Sequence, residues 1–311
     1  MGHARRFRFG VEMMGPFAGM TWAESARHLE HLGYSTLFVP DHLHEGYGPI
    51  TAMATAAMAT EHLVVASAVL AADFRHPAFM ARELTSIDLL SGGRLEVGLG
   101  AGYQTMDYDK SGLPMDPPGV RVSRMIEHVA VLKGLFADGA FDFDGDHYRI
   151  TGLDSIPKPH RPGGPPILIA GGGRRVLEFA AREADIVGVN VHLATSAVRR
   201  GPTDGLAASV DQRFEWMKAA AGQRFDDLEI HAWCAASKVT DDAGRELDRL
   251  RARFEGSDDE ILGSPLVMIG TVDEIAERLI ARRERWGFSY FTVLQDVAEN
   301  FAPVAQQLTG R

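Results

Sequence analysis

An acid and a base stand side by side in the segment TLFVPDHLHEGYG, residues 36–48. Asp41 and His42 follow the apolar run Thr36 to Val39, with only Pro40 between. A carboxylate that touches an imidazole can select its tautomer and raise its basicity, and histidine titrates near neutral pH. Neighbouring residues on a strand point in opposite directions, so the two side chains need not pair with each other. The dipeptide therefore suggests acid–base chemistry, with a helix cap and a surface histidine as the alternative.

A glycine-rich turn follows another apolar run, in the segment GLGAGY, residues 98–103. Its GxGxG spacing lacks the last glycine of the dinucleotide-binding fingerprint, and no acidic residue follows a second strand at the proper distance. Glycine does allow a flat ligand to approach the backbone closely. We therefore interpret this turn as backbone that a flat ligand can approach, with Tyr103 beside it as a candidate substrate contact.

A second glycine-rich turn lies in AGGGRR, residues 170–175, directly before a predicted helix. Gly171, Gly172 and Gly173 would leave backbone N–H groups free at the positive end of the helix dipole, where Arg174 or Arg175 could add charge. Such a turn favours a phosphate site, and the alternative is a plain glycine-rich turn.

Eight apolar runs of strand length alternate with helix-like segments, and several are apolar almost continuously, as strands buried on both faces are. The predicted strands are 7–13, 35–40, 63–71, 94–100, 166–171, 185–191, 228–236 and 290–295. Eight such units predict an α/β fold, a single (β/α)8 TIM barrel over residues 1–311, whose working face is at the carboxyl ends of the strands. The surplus length predicts insertions after strand 4, before strand 5 and between strands 6 and 8.

Three helices are predicted to begin with a capping box, in which the two end side chains satisfy each other's backbone N–H. They begin at Thr21, Ser209 and Thr271. On the predicted barrel, Glu12 ends strand 1, and Asn190 and His192 end strand 6. Glu12 and His192 are further candidate substrate contacts.

The segment PITAMATAAMAT, residues 49–60, has no charged residue, whereas an outer helix of a barrel normally keeps a polar face toward water. Small residues and methionines on every side predict burial on both sides. We interpret the segment as the interface of a homodimer, with cover from an inserted loop as the alternative.

Composition excludes several functional classes. The 311 residues are 45% hydrophobic and 24% charged, with a net charge of −10, which argues against a nucleic-acid binder. The amino terminus lacks the apolar segment of a signal peptide, and no run is long and apolar enough to span a membrane, so a cytoplasmic protein is expected.

Neither metal nor thiol chemistry is predicted. The lone cysteine, Cys234, lies in an apolar run and is interpreted as a buried thiol. His28 and His31 are three residues apart on a predicted helix but have no third ligand in register, so no metal site is predicted. A cofactor must then supply the chemistry to a small-molecule substrate.

Four segments resemble the luciferase-like oxidoreductases, the barrel superfamily that includes bacterial luciferase and the enzymes using the deazaflavin coenzyme F420. The resemblance rests on FVPDHL at 38–43, on residues 74–103 with their SGGRL turn, on 157–190 and on 269–294. Together with residues 116–136, these segments most resemble the actinobacterial F420-dependent branch.

The resemblance implies where the cofactor would bind. The deazaflavin ring would lie across the barrel mouth, facing Asp41 and His42, and His42 would lie near the carbon that exchanges hydride. A non-prolyl cis peptide at Ala68–Val69 would back the ring, beside Gly100 to Gly102. Gly171 to Gly173, with Arg174 and Asn190, would lie on the phosphate side.

One position departs from the family. Sugar-phosphate dehydrogenases of this group have a glutamate shortly after the strand-4 glycines, where this chain has Tyr103 and Gln104. A sugar phosphate is therefore not the expected substrate. The resemblance implies an F420-dependent oxidoreductase that transfers a hydride between the deazaflavin and a small organic substrate. The alternatives are an FMN-dependent two-component monooxygenase, which would need a separate reductase, and a non-catalytic flavin-binding barrel.

Overall fold

The structure is a computed structural model that describes residues 5–190, 204–234, 236–251 and 254–311. Its strands are Arg8–Glu12 (β1), Thr36–Val39 (β2), Val64–Ser67 (β3), Leu70–Ala71 (β4), Leu95–Gly100 (β5), Phe141–Asp144 (β6), Arg149–Leu153 (β7), Ile167–Gly171 (β8), Ile186–Val189 (β9), Glu229–Trp233 (β10), Ala236–Val239 (β11), Val267–Gly270 (β12) and Phe288–Leu294 (β13).

The α-helices alternate with the strands of the main sheet. They are Trp22–His31 (α1), Pro49–Ala59 (α2), Pro77–Leu90 (α3), Thr105–Ser111 (α4), Pro118–Phe136 (α5), Arg174–Glu183 (α6), Ala207–Ala221 (α7), Ala243–Leu250 (α8), Asp258–Gly263 (α9), Val272–Trp286 (α10) and Ala298–Leu308 (α11). Among the residues described, no helix has the length and apolar character needed to cross a bilayer.

The main sheet is the predicted closed barrel of parallel strands. Its strand order is β3-β2-β1-β13-β10-β9-β8-β5-β4, and a further pairing of β3 with β5 closes it. All eight predicted strands are present, although the third is divided into β3 and β4 at Ala68 and Val69, and the last begins at Phe288. The (β/α)8 fold is therefore confirmed.

Two compact units divide the chain. The described residues of the first lie within 1–12, 29–36 and 169–311, and those of the second within 13–28 and 37–168. The assignment of the whole chain to one domain stays a prediction.

An aromatic cluster forms the core of the first unit. Phe7, Phe9, Phe288, Phe291 and Phe301 are all buried, and the rings of Phe9 and Phe291 are stacked with centroids 5.9 Å apart. Aromatic side chains bury large areas and contribute most of the hydrophobic stabilisation of such a core.

In the second unit, Arg94 of the SGGRL turn fixes the end of α2. Its guanidinium donates to the carbonyl oxygens of Ala57 at 2.8 Å and Leu63 at 2.9 Å, and its Nε donates to that of Ser91 at 2.8 Å. The last carbonyl groups of a helix have no partner within the helix, so the arginine satisfies acceptors that burial would otherwise leave unpaired. The turn therefore joins α2, the start of β3 and the end of α3.

One face of α2 is exposed in the single chain, on the side where the predicted interface would supply the second covering surface. Ala52, Met53, Ala56 and Ala57 are buried, whereas Met58 is 64% exposed. The chain itself thus covers only part of the helix. The predicted interface stays a prediction.

The surplus residues lie where insertions were predicted, but the strands that these insertions contain were not predicted. After β5 the chain forms α4, and before β8 it forms the antiparallel hairpin of β6 and β7. Between β10 and β13, β11 pairs in parallel with β12. The predicted strand 228–236 is in fact two strands, because β10 ends at Trp233 and β11 joins the separate two-stranded sheet.

Two of the three predicted capping boxes are confirmed. Glu24 and Thr21 bond each other's backbone N–H groups, as do Glu274 and Thr271. The box predicted at Ser209 is wrong, because α7 begins two residues earlier and the Ser209 hydroxyl bonds Asp204 at 3.2 Å. A further capping box, not predicted, begins α9 with Ser257 and Glu260.

Candidate active site

Asp41 lies buried after β2, where it pairs with an arginine rather than with His42. Its two carboxylate oxygens accept from the Arg75 guanidinium at 2.5 and 2.9 Å, and Oδ2 also accepts from the backbone N–H of Ala71 at 3.1 Å. A bidentate pair of this kind is strong and directional. Asp41 therefore holds the chain after β4 against the end of β2, and does not orient the neighbouring histidine.

His42 is oriented by Asp107, a residue that the sequence analysis missed. The Nδ1 atom of His42 lies 2.8 Å from Oδ2 of Asp107, in the first turn of α4. The Asp107 carboxylate also meets the Nδ1 atom of His44 at 2.6 Å and accepts from the Leu43 N–H at 2.8 Å, both at Oδ1. One buried carboxylate thus binds three consecutive residues of the segment after β2.

These hydrogen bonds determine the ionisation of Asp107 and the tautomer of His42. Burial alone would raise the pKa of Asp107, but the bonds from His42, His44 and Leu43 outweigh it and hold the pKa below its usual value. An ionised carboxylate only accepts hydrogen bonds, so the Nδ1 atoms of both histidines must be the donors. The Nε2 atom of a neutral His42 is then an acceptor, as a general base requires.

The predicted ligand-contacting glycines lie next to this cluster in sequence, and their own packing requires glycine. A Cβ on Gly100 would come within 2.7 Å of the Val69 side chain, and one on Gly102 within 2.0 Å of the Tyr108 hydroxyl. Gly102 also has a φ of +70°, a conformation that side chains disfavour. The peptide between Ala68 and Val69 is cis, as the resemblance implied.

Two arginines of α5 hold the glycine turn and α4 in place. Arg121 donates to the carbonyl oxygens of Ala101, at 3.2 Å, and Gly102. Arg124 bonds Asp73 at 2.7 Å, and Asp73 accepts from the Tyr108 hydroxyl at 2.8 Å. This network surrounds the helix that contains Asp107.

Tyr103 packs edge-on to His42, with ring centroids 6.0 Å apart and planes inclined by 81°. It is 48% exposed. The structure therefore brings this predicted substrate contact to the histidine.

In the first unit, Glu12 is buried and meets Trp233. The Trp233 indole N–H donates to Oε2 of Glu12 at 3.0 Å. Glu12 ends β1 and Trp233 ends β10, and β13 lies between these strands in the sheet. The two side chains therefore meet across β13 on one face of the sheet. His192, the other predicted substrate contact on this side, lies outside the described residues.

The glycine turn before α6 is held by Arg213, which the sequence analysis also missed. Its Nε donates to the Gly172 carbonyl oxygen at 3.2 Å, and its guanidinium also bonds the Asp204 carboxylate at 2.5 Å. Gly173 directly precedes α6, and no described side chain caps the start of this helix. Asn190 donates its backbone N–H to the Gly171 carbonyl at 2.9 Å.

Arg174 does not add free charge to this turn. Its side chain is 68% exposed and its Nε donates to Glu178 at 2.7 Å, one turn further along α6. Apart from Arg175, which is exposed, the turn offers the backbone of residues 172–175 to an anion.

The comparisons with known proteins agree with this architecture. The family model described as luciferase-like monooxygenase matches residues 14–204, more than half of the chain. The chain belongs to the luciferase-like monooxygenase family.

Curated relatives of this luciferase-like chain include enzymes with two different cofactors. It is 28% identical over 187 residues to an F420-dependent glucose-6-phosphate dehydrogenase of Amycolatopsis mediterranei, covering 58% of this chain and 55% of the relative. It is 27% identical over 227 residues to an FMNH(2)-dependent dimethylsulfone monooxygenase of Pseudomonas putida, covering 73% and 58%. The chain thus spans little more than half the length of these relatives.

Solved structures show the same luciferase-like fold over nearly the whole chain. An F420-dependent secondary alcohol dehydrogenase in complex with an F420-acetone adduct superposes with a TM-score of 0.76 at 19% identity, covering 98% of this chain and 99% of the other. The F420-dependent tetrahydromethanopterin reductase of Methanopyrus kandleri gives 0.74 at 17%, with the same coverage. At these identities the likeness shows the fold alone.

Asp107, His44, Arg75 and Arg213 were missed because their partners are far away in the sequence. The signal for Asp107 was an acid in YQTMDYD, a few residues beyond the strand-4 glycines. The sequence analysis compared only Tyr103 and Gln104 with the family's glutamate. The acid beside the histidine, Asp107, follows Gln104 by three residues.

Proposed function

We propose that the protein is an F420-dependent oxidoreductase that transfers a hydride between the deazaflavin and a small organic substrate. The observation that supports this most strongly is the hydrogen bond of 2.8 Å between His42 Nδ1 and Asp107. A hydride transfer to or from an alcohol carbon must be accompanied by transfer of the hydroxyl proton. His42 is a histidine held in the tautomer that can accept or return this proton at Nε2.

Each unit separately offers groups that suit one part of a phosphate-bearing, planar cofactor. The carboxyl ends of β2 and β5 offer His42, Tyr103 and a glycine backbone to a flat ring, and the turn Gly171 to Gly173 offers N–H groups at the start of α6 to a phosphate. When bound, the deazaflavin donates or accepts the hydride. The FMN-dependent alternative fits the same groups.

Within this proposal each polar side chain has a distinct role. His42 takes the hydroxyl proton during oxidation and returns it during reduction. Asp107 stabilises the imidazolium formed when His42 is protonated. Asp41 and Arg75 fix the chain just before His42, and Tyr103 packs edge-on to the histidine ring. Glu12 and His192 stay candidate substrate contacts.

The second candidate function is an FMN-dependent monooxygenase supplied by a separate reductase. It is favoured by the dimethylsulfone monooxygenase relative, whose alignment covers 73% of this chain, a larger share than the 58% of the dehydrogenase relative. His42 would then move a proton during oxygen chemistry, with the same Asp107 partner.

A side-by-side equilibrium titration with F420 and with FMN tests the cofactor. Quenching of intrinsic fluorescence by F420, at concentrations at which FMN has no effect, is expected. Turnover is then measured as loss of deazaflavin absorbance against a panel of secondary alcohols. Binding of FMN without F420 would overturn the proposal in favour of the monooxygenase. Binding of either cofactor, with no turnover in the presence of reductant or reductase, would favour a non-catalytic flavin-binding barrel.

We also propose that two copies associate through α2. Met58 of α2 is 64% exposed, and Phe79 and Leu90 of α3, the helix that packs beside it, are 74% and 61% exposed. Exposed apolar side chains on adjacent helices favour association. Light scattering should give twice the chain mass, and Met58→Glu should give the mass of one chain. A monomeric wild type would refute the dimer.

A further inference from the structure

The two histidines and the aspartate after β2 and β5 form a compact set of metal-ligand atoms. His42, His44 and Asp107 each offer one nitrogen or oxygen, and these atoms all lie within 4.8 Å of one another. We propose that these three residues bind a divalent transition-metal ion of the zinc class. No other group of three potential ligands with this spacing is found among the residues described.

The donor set suits this class of ion. Imidazole nitrogen and carboxylate oxygen are the ligands that Zn²⁺ and Co²⁺ take together, and three protein ligands leave a coordination position open. Alkaline-earth ions such as Mg²⁺ prefer oxygen ligands, so they should bind weakly.

The distances require only a small rearrangement. Each histidine Nδ1 lies 2.8 or 2.6 Å from a carboxylate oxygen. Ligand atoms bound at about 2.0–2.1 Å around a tetrahedral zinc ion are roughly 3.3 Å apart. The two nitrogen–oxygen pairs therefore need to separate by roughly 0.5 and 0.7 Å for an ion to replace the two Nδ1 protons.

A second layer of hydrogen bonds already supports the ligands. The Nε2 atom of His44 lies 3.3 Å from Oε1 of Glu45, and the Leu43 N–H donates to Asp107 at 2.8 Å. Metal-bound histidines typically donate their other ring N–H to a carboxylate, and ligating carboxylates are themselves hydrogen-bonded. Glu45 and the Leu43 backbone occupy these two positions.

The inference does not rest on the proposed function, because it requires His42 only as a ligand. A bound ion would separate His42 from Asp107 and so compete with the proton transfer proposed above. The two ideas make separate predictions for the cofactor-free protein, in which metal affinity can be measured without any substrate.

The test is a titration of tag-free, chelator-treated protein with Co²⁺, followed by visible absorption, and then with Zn²⁺ against a chromophoric chelator. One ion per chain is expected, with a Co²⁺ spectrum typical of nitrogen and oxygen ligands. His44→Gln and Asp107→Asn should each weaken Zn²⁺ binding at least tenfold. Glu45→Gln should weaken it by a smaller factor.

Matched controls separate this site from adventitious binding. His62→Gln replaces an exposed histidine, and Asp109→Asn replaces an exposed acid on α4, so both should bind Zn²⁺ as the wild type does. The proposal would be overturned if the wild type binds no ion, or if His44→Gln and Glu45→Gln bind Zn²⁺ with the same affinity. The three residues would then form a hydrogen-bonded cluster only. Should Asp107→Asn unfold, as judged by circular dichroism, the His44 and Glu45 variants decide the outcome.

Discussion

The two candidate binding regions use different parts of the chain. The region of His42 and Asp107 in the second unit offers charged side chains, each held by a partner of opposite charge or by a hydrogen bond. The turn Gly171 to Gly173 in the first unit offers backbone, and its neighbouring arginine, Arg174, is engaged with Glu178. Proton transfer needs a titratable side chain in one tautomer, whereas phosphate binding needs only oriented N–H groups.

Buried arginines support both regions in the same way. Arg121 in the second unit and Arg213 in the first are both buried, and each donates to several backbone carbonyl groups. The difference therefore lies in what the regions present to a ligand, and not in how they are built. Four variants test this comparison.

The largest effect is expected from Asp107→Asn. The variant loses the charge that selects the His42 tautomer and stabilises the imidazolium, so kcat should fall about a thousandfold. Cofactor affinity should change little, because the ring and phosphate contacts remain. Steady-state kinetics and a cofactor titration check this, with Asp109→Asn as control. A kcat within threefold of wild type would remove Asp107 from the mechanism.

The next effect is on stability. Arg94→Met should lower the free energy of unfolding by about 3 kcal/mol. The substitution leaves the carbonyl groups of Ala57, Leu63 and Ser91 without their donor. Chemical denaturation measures this, and Arg82→Met, at an exposed position of α3, is the control. Equal stability of the two variants would show that water replaces the guanidinium without cost.

A smaller effect concerns a buried histidine of the second unit. Burial lowers the pKa of His128 to about 4, so the unfolded chain takes up a proton at higher pH than the folded chain does. Stability from this residue is therefore present at neutral pH and is lost as pH falls from about 6.5 toward 4, by about 2 kcal/mol at pH 4.5.

His128→Gln should remove this part of the pH dependence, and the exposed His62→Gln should not. Urea denaturation between pH 7 and 4.5 checks it. An identical slope in both variants would mean that His128 is not kept neutral by folding. In the first unit, burial lowers the pKa of His231 to about 3, so the same sign of dependence is expected there.

The smallest effect is expected at the glycine turn. Arg213→Lys keeps the charge but loses the fork that bonds Gly172 and Asp204, so affinity for F420 should fall about tenfold. Affinity for the same chromophore without its phosphate should not change. Arg224→Lys is the control, because Arg224 bonds the carbonyl groups of Ala181 and Ala184 at the other end of α6. Equal losses for both ligands would contradict a phosphate role.

The barrel could be predicted well from the sequence because strands that are buried on both faces consist of nearly continuous apolar residues. The eight runs and the insertions were predicted from the residue pattern, whereas the cis peptide at Ala68–Val69 was implied only by the resemblance to the family. The short strands β11 and β12 were missed, since four residues such as VMIG can begin a helix pattern or form a strand. The cap at Ser209 was wrongly predicted because its hydroxyl donates to Asp204 and accepts from Arg213 instead of capping the helix.

The site was harder to predict than the fold. Asp41 and His42 were found, but their partners, Arg75 and Asp107, lie 34 and 65 positions away. No local pattern in a single sequence expresses such pairings. The glycines at 100 and 102 were identified as ligand contacts, whereas the structure shows that their neighbours Val69 and Tyr108 already require the absence of a side chain.

The separate partners of Asp41 and His42 have an evolutionary consequence. Although the two residues are adjacent, selection acts on them through different contacts. In an alignment of relatives, changes at position 41 should therefore covary with position 75, and changes at position 42 with position 107. Asp41 and His42 would then evolve independently of each other, although they are joined by a peptide bond.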